Sequence, residues 1–366
     1  MKIKKTIAFV IHSLSSGGAE RVVSTLSNEL LEDYNVIIIN FVANTPFYEL
    51  KSGIKVLHCN NKFKPSKSSW QAIKLNYGFY RKIKGIFKSE KVDLGIGFMT
   101  TANVLTILAG KAFKIPVIIS ERIDPTHTVV PFIWRQLKRW VYPKTDYLVV
   151  QTKPIKEYYS ALVSKEKLVI LPNPISSELI PKKMEDDVYE NIVLNVGRLT
   201  DQKGQGILIK AFANLNPVKW KLVIVGEGHK REEYQNLIKN LDMEKKIFLN
   251  GKTKNISDYY NKAKIFAFTS NFEGFPNALI EAMHMGLACI STDCPTGPSE
   301  LITNGENGFL IEVKDQDALE SGLNTLMNDN ELIKSFSVSA KKTVQRFNVD
   351  SVLKSWKRII NAAIEK

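Results

Sequence analysis

The sequence predicts an α/β protein made of two doubly wound, Rossmann-like parallel-sheet units in tandem. Short apolar runs recur along the chain with no polar alternation, and segments of helical spacing lie between them. Such runs fit strands covered on both faces. The series halts at Leu171-Pro172-Asn173-Pro174 and resumes at residue 191. The length of 366 residues leaves room for two domains at about 150 residues each.

The first series opens with Thr6–Ile11, which ends at His12-Ser13 with no small-residue cleavage site after it, so it reads as a buried strand rather than an export leader. Ala19–Leu31 has helical spacing, with Val22, Val23, Leu26 and Leu30 on one face. Asn35–Phe41, Asp93–Gly97, Pro116–Ser120, Asp146–Gln151 and Leu168–Leu171 read as further strands, with a helix over Thr101–Phe113. Two prolines around Asn173 make a stiff turn, and a loop-like, acidic stretch from Pro181 to Glu190 follows. The expected boundary therefore divides 1–173 from 174–348. Strands of the second series are expected at Asn191–Val196, Lys221–Val225, Lys246–Leu249, Ile265–Thr269, Ala288–Ser291 and Phe309–Ile311. The last stretch, 349–366, is helical, with Val352, Trp356, Ile359, Ile360 and Ala363 apolar.

Composition narrows the function classes. Apolar residues make up 44% and charged residues 24%, an ordinary soluble balance. No apolar run approaches the roughly 18–20 residues of a membrane span. Three cysteines without a C-x-x-C pair indicate neither a disulfide frame nor a zinc knuckle. The net charge of +14 is lopsided: residues 1–180 hold 26 basic and 13 acidic residues, a net +13, which leaves +1 for the remainder. A field of that kind points to an anionic partner of the first half.

Ligands of open parallel sheets bind beyond the carboxyl ends of strands, and four motifs lie there. Gly17-Gly18, in Ser15–Arg21, is either a plain strand-to-helix turn or a backbone loop that admits an anion at a helix start. Asn195–Gly204 sets Arg198 and Lys203 five residues apart, a fork and a mobile point charge suited to a diphosphate. Ser270–Met283 carries Glu273 in a loop, then Gly274, Phe275, Pro276, Asn277 and Ala278 at a helix start whose N–H groups can face a phosphate. Glu281 follows on an otherwise apolar helix face, where a carboxylate needs a partner, either ligand hydroxyls, a local lysine or a backbone group that it caps. Thr292–Glu300 is a rigid Gly/Pro loop that either contacts a ligand or is structural, with Ser299 as the N-cap and Glu300 as the first-turn acid of the next helix. Asp315-Gln316-Asp317 reads as a helix cap rather than a metal motif.

Taken in order, Gly17-Gly18-Ala19-Glu20-Arg21, Gly197-Arg198…Lys203-Gly204, Glu273-Gly274-Phe275-Pro276…Glu281 and Pro295–Glu300 resemble glycosyltransferase family 4 over essentially the whole chain. Ser120-Glu121-Arg122-Ile123-Asp124-Pro125 and Tyr142-Pro143…Asp146…Gln151-Thr152 are similar to the branch that extends polyprenyl-diphosphate-linked glycans. The resemblance implies the GT-B fold, with an acceptor domain at 1–173 completed by helix 349–366 and a donor domain at 174–348. It also implies metal-independent transfer with retention from a nucleoside diphosphate, UDP by the branch, and no cofactor. Arg198 and Lys203 would then hold the donor diphosphate, Glu273 the sugar ring and Glu281 the ribose. The N–H groups of residues 275–278 and the Gly17-Gly18 loop would meet the phosphates and sugar. Gly226-Glu227-Gly228 and Gly251-Lys252-Thr253 would flank the base. Many members carry a His where this chain has Glu121-Arg122; the resemblance implies that the acceptor-side role falls either to Glu121 and Arg122, the arginine gripping an acceptor diphosphate, or to His127, which is nearby but out of register.

Two segments combine basic and aromatic residues, 70–91 and 131–144. They suit either packing on the sheet or an anionic membrane surface. With a lipid-linked glycan acceptor, the expected location is cytoplasmic, peripheral on the inner face of the membrane. Another GT-B enzyme, such as a nucleotide-sugar epimerase, or a basic polyanion binder are the competing readings. No nucleic-acid reading module is recognisable, so no nucleic-acid partner is expected.

Overall fold

The computed structural model describes residues 4–61, 68–126, 130–176, 179 and 190–366. His127 and most of the acidic stretch, 181–189, lie outside the described residues. The chain forms two compact units, Met1–Ser176 with Val349–Lys366, and Ser177–Asn348.

The first unit runs β1 (Thr6–Ile11), α1 (Gly18–Leu30), β2 (Asn35–Val42), β3 (Lys55–Asn60), α2 (Ser69–Ser89), β4 (Leu94–Phe98), α3 (Thr100–Lys111), β5 (Val117–Ser120), α4 (Phe132–Val141), β6 (Tyr147–Val150), α5 (Lys153–Ser160) and β7 (Leu168–Ile170). Its sheet has the order β3-β2-β1-β4-β5-β6-β7, and every pairing is parallel. β3 is absent from the sequence reading. It is an edge strand whose residues are mostly half-buried, so it lacks the unbroken apolar run that marks the central strands.

The second unit runs β8 (Ile192–Val196), α6 (Gln205–Leu215), β9 (Lys221–Val225), α7 (Arg231–Asn240), β10 (Ile247–Asn250), α8 (Ile256–Lys262), β11 (Ile265–Phe268), α9 (Asn277–Met285), β12 (Ala288–Thr292), β13 (Phe309–Ile311), α10 (Gln316–Asn328) and α11 (Asn330–Val344). Its parallel sheet has the order β10-β9-β8-β11-β12-β13. Both sheets reverse winding direction beside their first strand, between β1 and β4 and between β8 and β11. Crevices open at those reversals.

α12 (Val349–Ile364) belongs to the first unit. Its apolar stripe of Val352, Leu353, Trp356, Ile359, Ile360 and Ala363 enters the core formed by Phe9, Val23, Leu26 and Ile96. Trp356 is wholly buried and stacks on Phe98 at 6.1 Å. Around that stripe, Tyr34 donates to Asn361 Oδ1 at 2.7 Å, and Lys357 pairs with Asp33 at 2.5 Å. The three cysteines are buried and unbonded, and burial pushes the Cys59 thiol up to about 12.

Truncating a buried indole loses its burial and leaves a cavity, at a cost of about 3–5 kcal/mol. Trp356→Ala is expected to lower the urea midpoint of the first unit accordingly. Val218→Ala, at a position 90% exposed, is expected to shift stability by no more than about 0.5 kcal/mol in the same titration.

Candidate active site

In the second unit the loops after β8 and β11 meet at the sheet's reversal point. They are stitched by Asn271 N to Gln202 O at 2.8 Å, Gln202 Nε2 to Phe272 O at 3.0 Å, Thr269 Oγ1 to Lys203 O at 3.1 Å and Asn271 Nδ2 to Asp201 O at 2.6 Å. Gly204 sits between them at φ +62°, where a Cβ would strike the Thr269 carbonyl oxygen. Only glycine meets both demands. Buried Gln205 fixes the first loop from below, its Nε2 donating to the Arg198 carbonyl at 3.1 Å.

This stitching brings Lys203 and Glu273 together. Lys203 Nζ lies 2.5 Å from Glu273 Oε1, with both side chains largely buried. Ser270 Oγ donates to the same oxygen at 2.6 Å, and the Thr296 hydroxyl donates to the Glu273 carbonyl. Arg198 is exposed and held by a marginal 3.5 Å contact with Gln202. The site therefore combines one anchored cation with one that can reorient.

Glu281, buried in α9, accepts from Tyr260 Oη at 3.1 Å. The sequence offers ligand hydroxyls, a local lysine or a backbone group as its partner; the structure supplies a tyrosine. No sequence signal marks Tyr260, which reads as an ordinary apolar helix position. Pro276 stands immediately before α9, and the Asn277 N–H, expected to face a phosphate, instead donates to the Phe275 carbonyl at 2.9 Å. Gly274, Phe275 and Pro276 are buried, whereas Asn277 and Ala278 are half-buried. Ser299 caps nothing: it lies in a single 3₁₀ turn, Pro298–Glu300, that has no side-chain cap. The helix expected after it does not form, because Gly297 at φ +123° and Gly305 and Gly308 bend the chain into β13. Asp315 caps α10 through Ala318 N at 2.9 Å.

In the first unit, Gly17 precedes α1 with extended backbone, and the Glu20 carboxylate folds back beside it, accepting from Ser15 Oγ at 3.2 Å. Gly18 is the first residue of that helix. Met99, at the neighbouring strand end, has φ +74°, a strained non-glycine backbone at the reversal point.

Glu121 and Arg122 follow β5 and point to opposite faces. The expectation placed both on an acceptor, but the Glu121 carboxylate is buried and engaged internally. Its Oε1 accepts from Thr100 Oγ1 at 3.0 Å and from Tyr142 Oη, and pairs with Lys138 Nζ at 3.3 Å. Lys138 in turn donates to Tyr159 Oη at 2.5 Å. Burial next to this carboxylate pushes the Tyr142 hydroxyl well above its ordinary value. Arg122 points to the other side, over the Phe98 ring at 5.0 Å and the Trp356 ring at 5.9 Å, with Nη1 donating to Asn173 Oδ1. Desolvation lowers its pKa to about 9.

The two aromatic-basic segments split between core and surface. α2 sends Phe79, Ile83 and Phe87 into the core and leaves Trp70, Ile73 and Tyr77 exposed. α4 buries Val141 and Lys138 and exposes Phe132, Ile133 and Trp140 beside Arg135 and Arg139. Among the described residues, no helix is long and apolar enough to cross a membrane.

Comparison with known proteins assigns a family. Residues 16–179 match the model of Glycosyltransferase Family 4, and residues 176–343 match Glycosyl transferases group 1. A Campylobacter jejuni GalNAc-α-(1→4)-GalNAc-α-(1→3)-diNAcBac-PP-undecaprenol α-1,4-N-acetyl-D-galactosaminyltransferase is 32% identical, over 97% of this chain and 98% of its own length. The amylovoran biosynthesis glycosyltransferase AmsD of Erwinia amylovora is 30% identical, over 95% and 97%. Anabaena HepE in complex with UDP shares the fold, with a TM-score of 0.79 at 18% identity over 98% of this chain and all of that one. From the two family models and these full-length relatives, the chain belongs to glycosyltransferase family 4, with two GT-B-type parallel-sheet units.

Proposed function

We propose that this family member moves a hexose or N-acetylhexosamine, with retention and without a metal, from a nucleoside-diphosphate sugar to a polyprenyl-diphosphate-linked glycan. The base is uracil, and the pathway is bacterial surface-polysaccharide assembly, such as capsule or O-antigen. The observation that carries this reading is the Lys203–Glu273 pair at the reversal point of the second sheet, beside exposed Arg198. Two findings on other proteins support the substrate classes. The Campylobacter relative is named for an undecaprenol-diphosphate-linked acceptor, and HepE is a UDP complex.

On this reading residues 174–348 take the donor, and residues 1–173 with helix 349–366 take the acceptor. The donor's anomeric C–O bond breaks toward the β-phosphate while the acceptor oxygen bonds to the same face of that carbon. The acceptor's proton passes to the departing phosphate oxygen. Lys203 and Arg198 stabilise the charge that develops there, electrostatics worth most where water is excluded. Glu273, fixed by Lys203 and Ser270, meets the sugar ring, and Glu281 accepts from the ribose. Gly17, Gly18 and the 274–278 segment serve the phosphates and sugar. Glu121 holds the acceptor loop, and Arg122 provides its cation. The exposed aromatic and basic residues of α2 and α4 hold the protein against an anionic inner membrane face. A nucleotide-sugar epimerase of the same fold and a basic polyanion binder are the competing readings.

Lys203→Met and Glu281→Ala are each expected to lower transfer at least about a hundredfold, with the thermal midpoint recorded alongside. The assay is nucleoside-diphosphate release across a panel of nucleotide sugars with a prenyl-diphosphate-linked N-acetylhexosamine, and full activity in both variants would refute the donor assignment. Gly204→Ala should cost activity as well, because it forces the two loops apart. Each basic residue near an anionic bilayer contributes about 1 kcal/mol, so the double change of Arg135 and Arg139 to Ala should weaken binding to anionic liposomes about thirtyfold at low salt. Wild-type protein that stays in the supernatant would overturn the membrane reading.

A further inference from the structure

Arg122 is a buried cation whose hydrogen bonding is incomplete. The residue is 8% exposed, and Nη1 donates to Asn173 Oδ1, which also accepts from Gln151 Nε2 at 2.9 Å. Nε and Nη2 are both buried and make no hydrogen bond. These two nitrogens form the side-on edge of the guanidinium, the planar pair of N–H groups that matches two oxygens of a phosphate or carboxylate. The Trp356 Nε1, in the ring 5.9 Å away, is a second buried donor with no acceptor. No carboxylate forms an ion pair with Arg122 among the described residues.

The energetics make this arrangement informative. A buried charge without an opposite charge is expensive, and aromatic faces compensate only part of the lost hydration. A residue serving packing alone would be better replaced by an apolar side chain of similar volume. The position adds a direction. Arg122 follows the carboxyl end of β5, Gln151 follows β6 and Asn173 follows β7, so the group lies on the sheet edge where ligands bind.

We propose that the Nε/Nη2 edge of Arg122 is the receptor for a phosphate oxyanion of the acceptor, an inference that rests on reading the first unit as the acceptor unit. Both nitrogens lie below the surface, so the anion is met by a rotamer change that carries the edge outward and gives up the Nη1–Asn173 bond. Glu121, held by Lys138 and Tyr142, keeps the loop backbone in place during that swing. The shared chemistry is a phosphate oxyanion, which either free pyrophosphate or a lipid diphosphate can supply.

The test is calorimetric titration of the full chain carrying Lys203→Met, which silences the donor loop, with inorganic pyrophosphate and separately with geranyl diphosphate. Arg122→Met in that background is expected to bind geranyl diphosphate at least tenfold more weakly while its thermal midpoint is unchanged or higher. Arg122→Lys, which keeps charge but lacks the side-on edge, should also lose affinity. Loss with both ligands identifies a general phosphate receptor, and loss with geranyl diphosphate alone identifies a lipid-diphosphate receptor; either supports the proposal. Unchanged binding in Arg122→Met, or in Arg122→Lys should Arg122→Met fail to fold, overturns it, as does a lowered midpoint with binding intact, the result for a packing clamp. Transfer assays with Lys203 restored separate the two readings. If Arg122→Met glycosylates a prenyl-diphosphate-linked acceptor as well as wild type, this inference fails and the acceptor class stands. Arg122-dependent phosphate binding without transfer to any such acceptor leaves the receptor standing and removes the acceptor class.

Discussion

The constraint on which both units depend is that a parallel sheet covered on both faces satisfies its backbone internally, leaving its strand ends as the place where polar groups can gather. Strands such as Ile7–Val10 and Ile265–Phe268 are buried nearly end to end. Glu273, Lys203, Arg198, Glu121, Arg122, Gln151 and Asn173 all stand just past a carboxyl end. The reversal of winding beside β8 then brings two of those ends together, and four hydrogen bonds lock the loops that carry Lys203 and Glu273.

The two units solve the same electrostatic problem in parallel. Each buries a Lys–Glu pair at its carboxyl edge, Lys203–Glu273 in one and Lys138–Glu121 in the other. Buried pairs seldom raise stability over an apolar substitute, so their presence at both edges points to positioning. Their surroundings differ. Glu273 is steadied by the Ser270 hydroxyl on its carboxylate and the Thr296 hydroxyl on its carbonyl, whereas Glu121 sits among Thr100, Tyr142 and Lys138, which rise from helices or directly beside them. The loops after β8 and β11 are thus anchored by polar stitching, and the loop after β5 is anchored by a packed aromatic cluster.

Much of this was legible in the residues. Central strands announce themselves because burial on both faces demands unbroken Val and Ile, and glycines and cations after them mark the loops. The edge strand β3 escaped because one side of it lacks a neighbour and its residues tolerate polarity. Tyr260 and Lys138 escaped for a different reason: a tyrosine or lysine on an amphipathic helix has the same local pattern whether it faces water or a buried carboxylate. Ser299 misled because its short local pattern matches a cap, while the helix that would need one is precluded by glycines farther along. The direction of Arg122 follows from strand alternation, but its incomplete hydrogen bonding is a property of packing.

The return of α12 to the first unit bears on biosynthesis. Residues 1–176 leave the ribosome well before Val349–Ile364, with the whole second unit made in between. At the usual 5–20 residues per second, that delay is roughly ten to thirty seconds. For that interval Phe9, Leu26 and Ile96 lack the indole and isoleucines that cover them in the finished core. The nascent first unit then lacks part of its core, while the second, contiguous in sequence, has all of its core residues as soon as it is made. The order of maturation along the chain is therefore reversed: the unit made first is the one finished last.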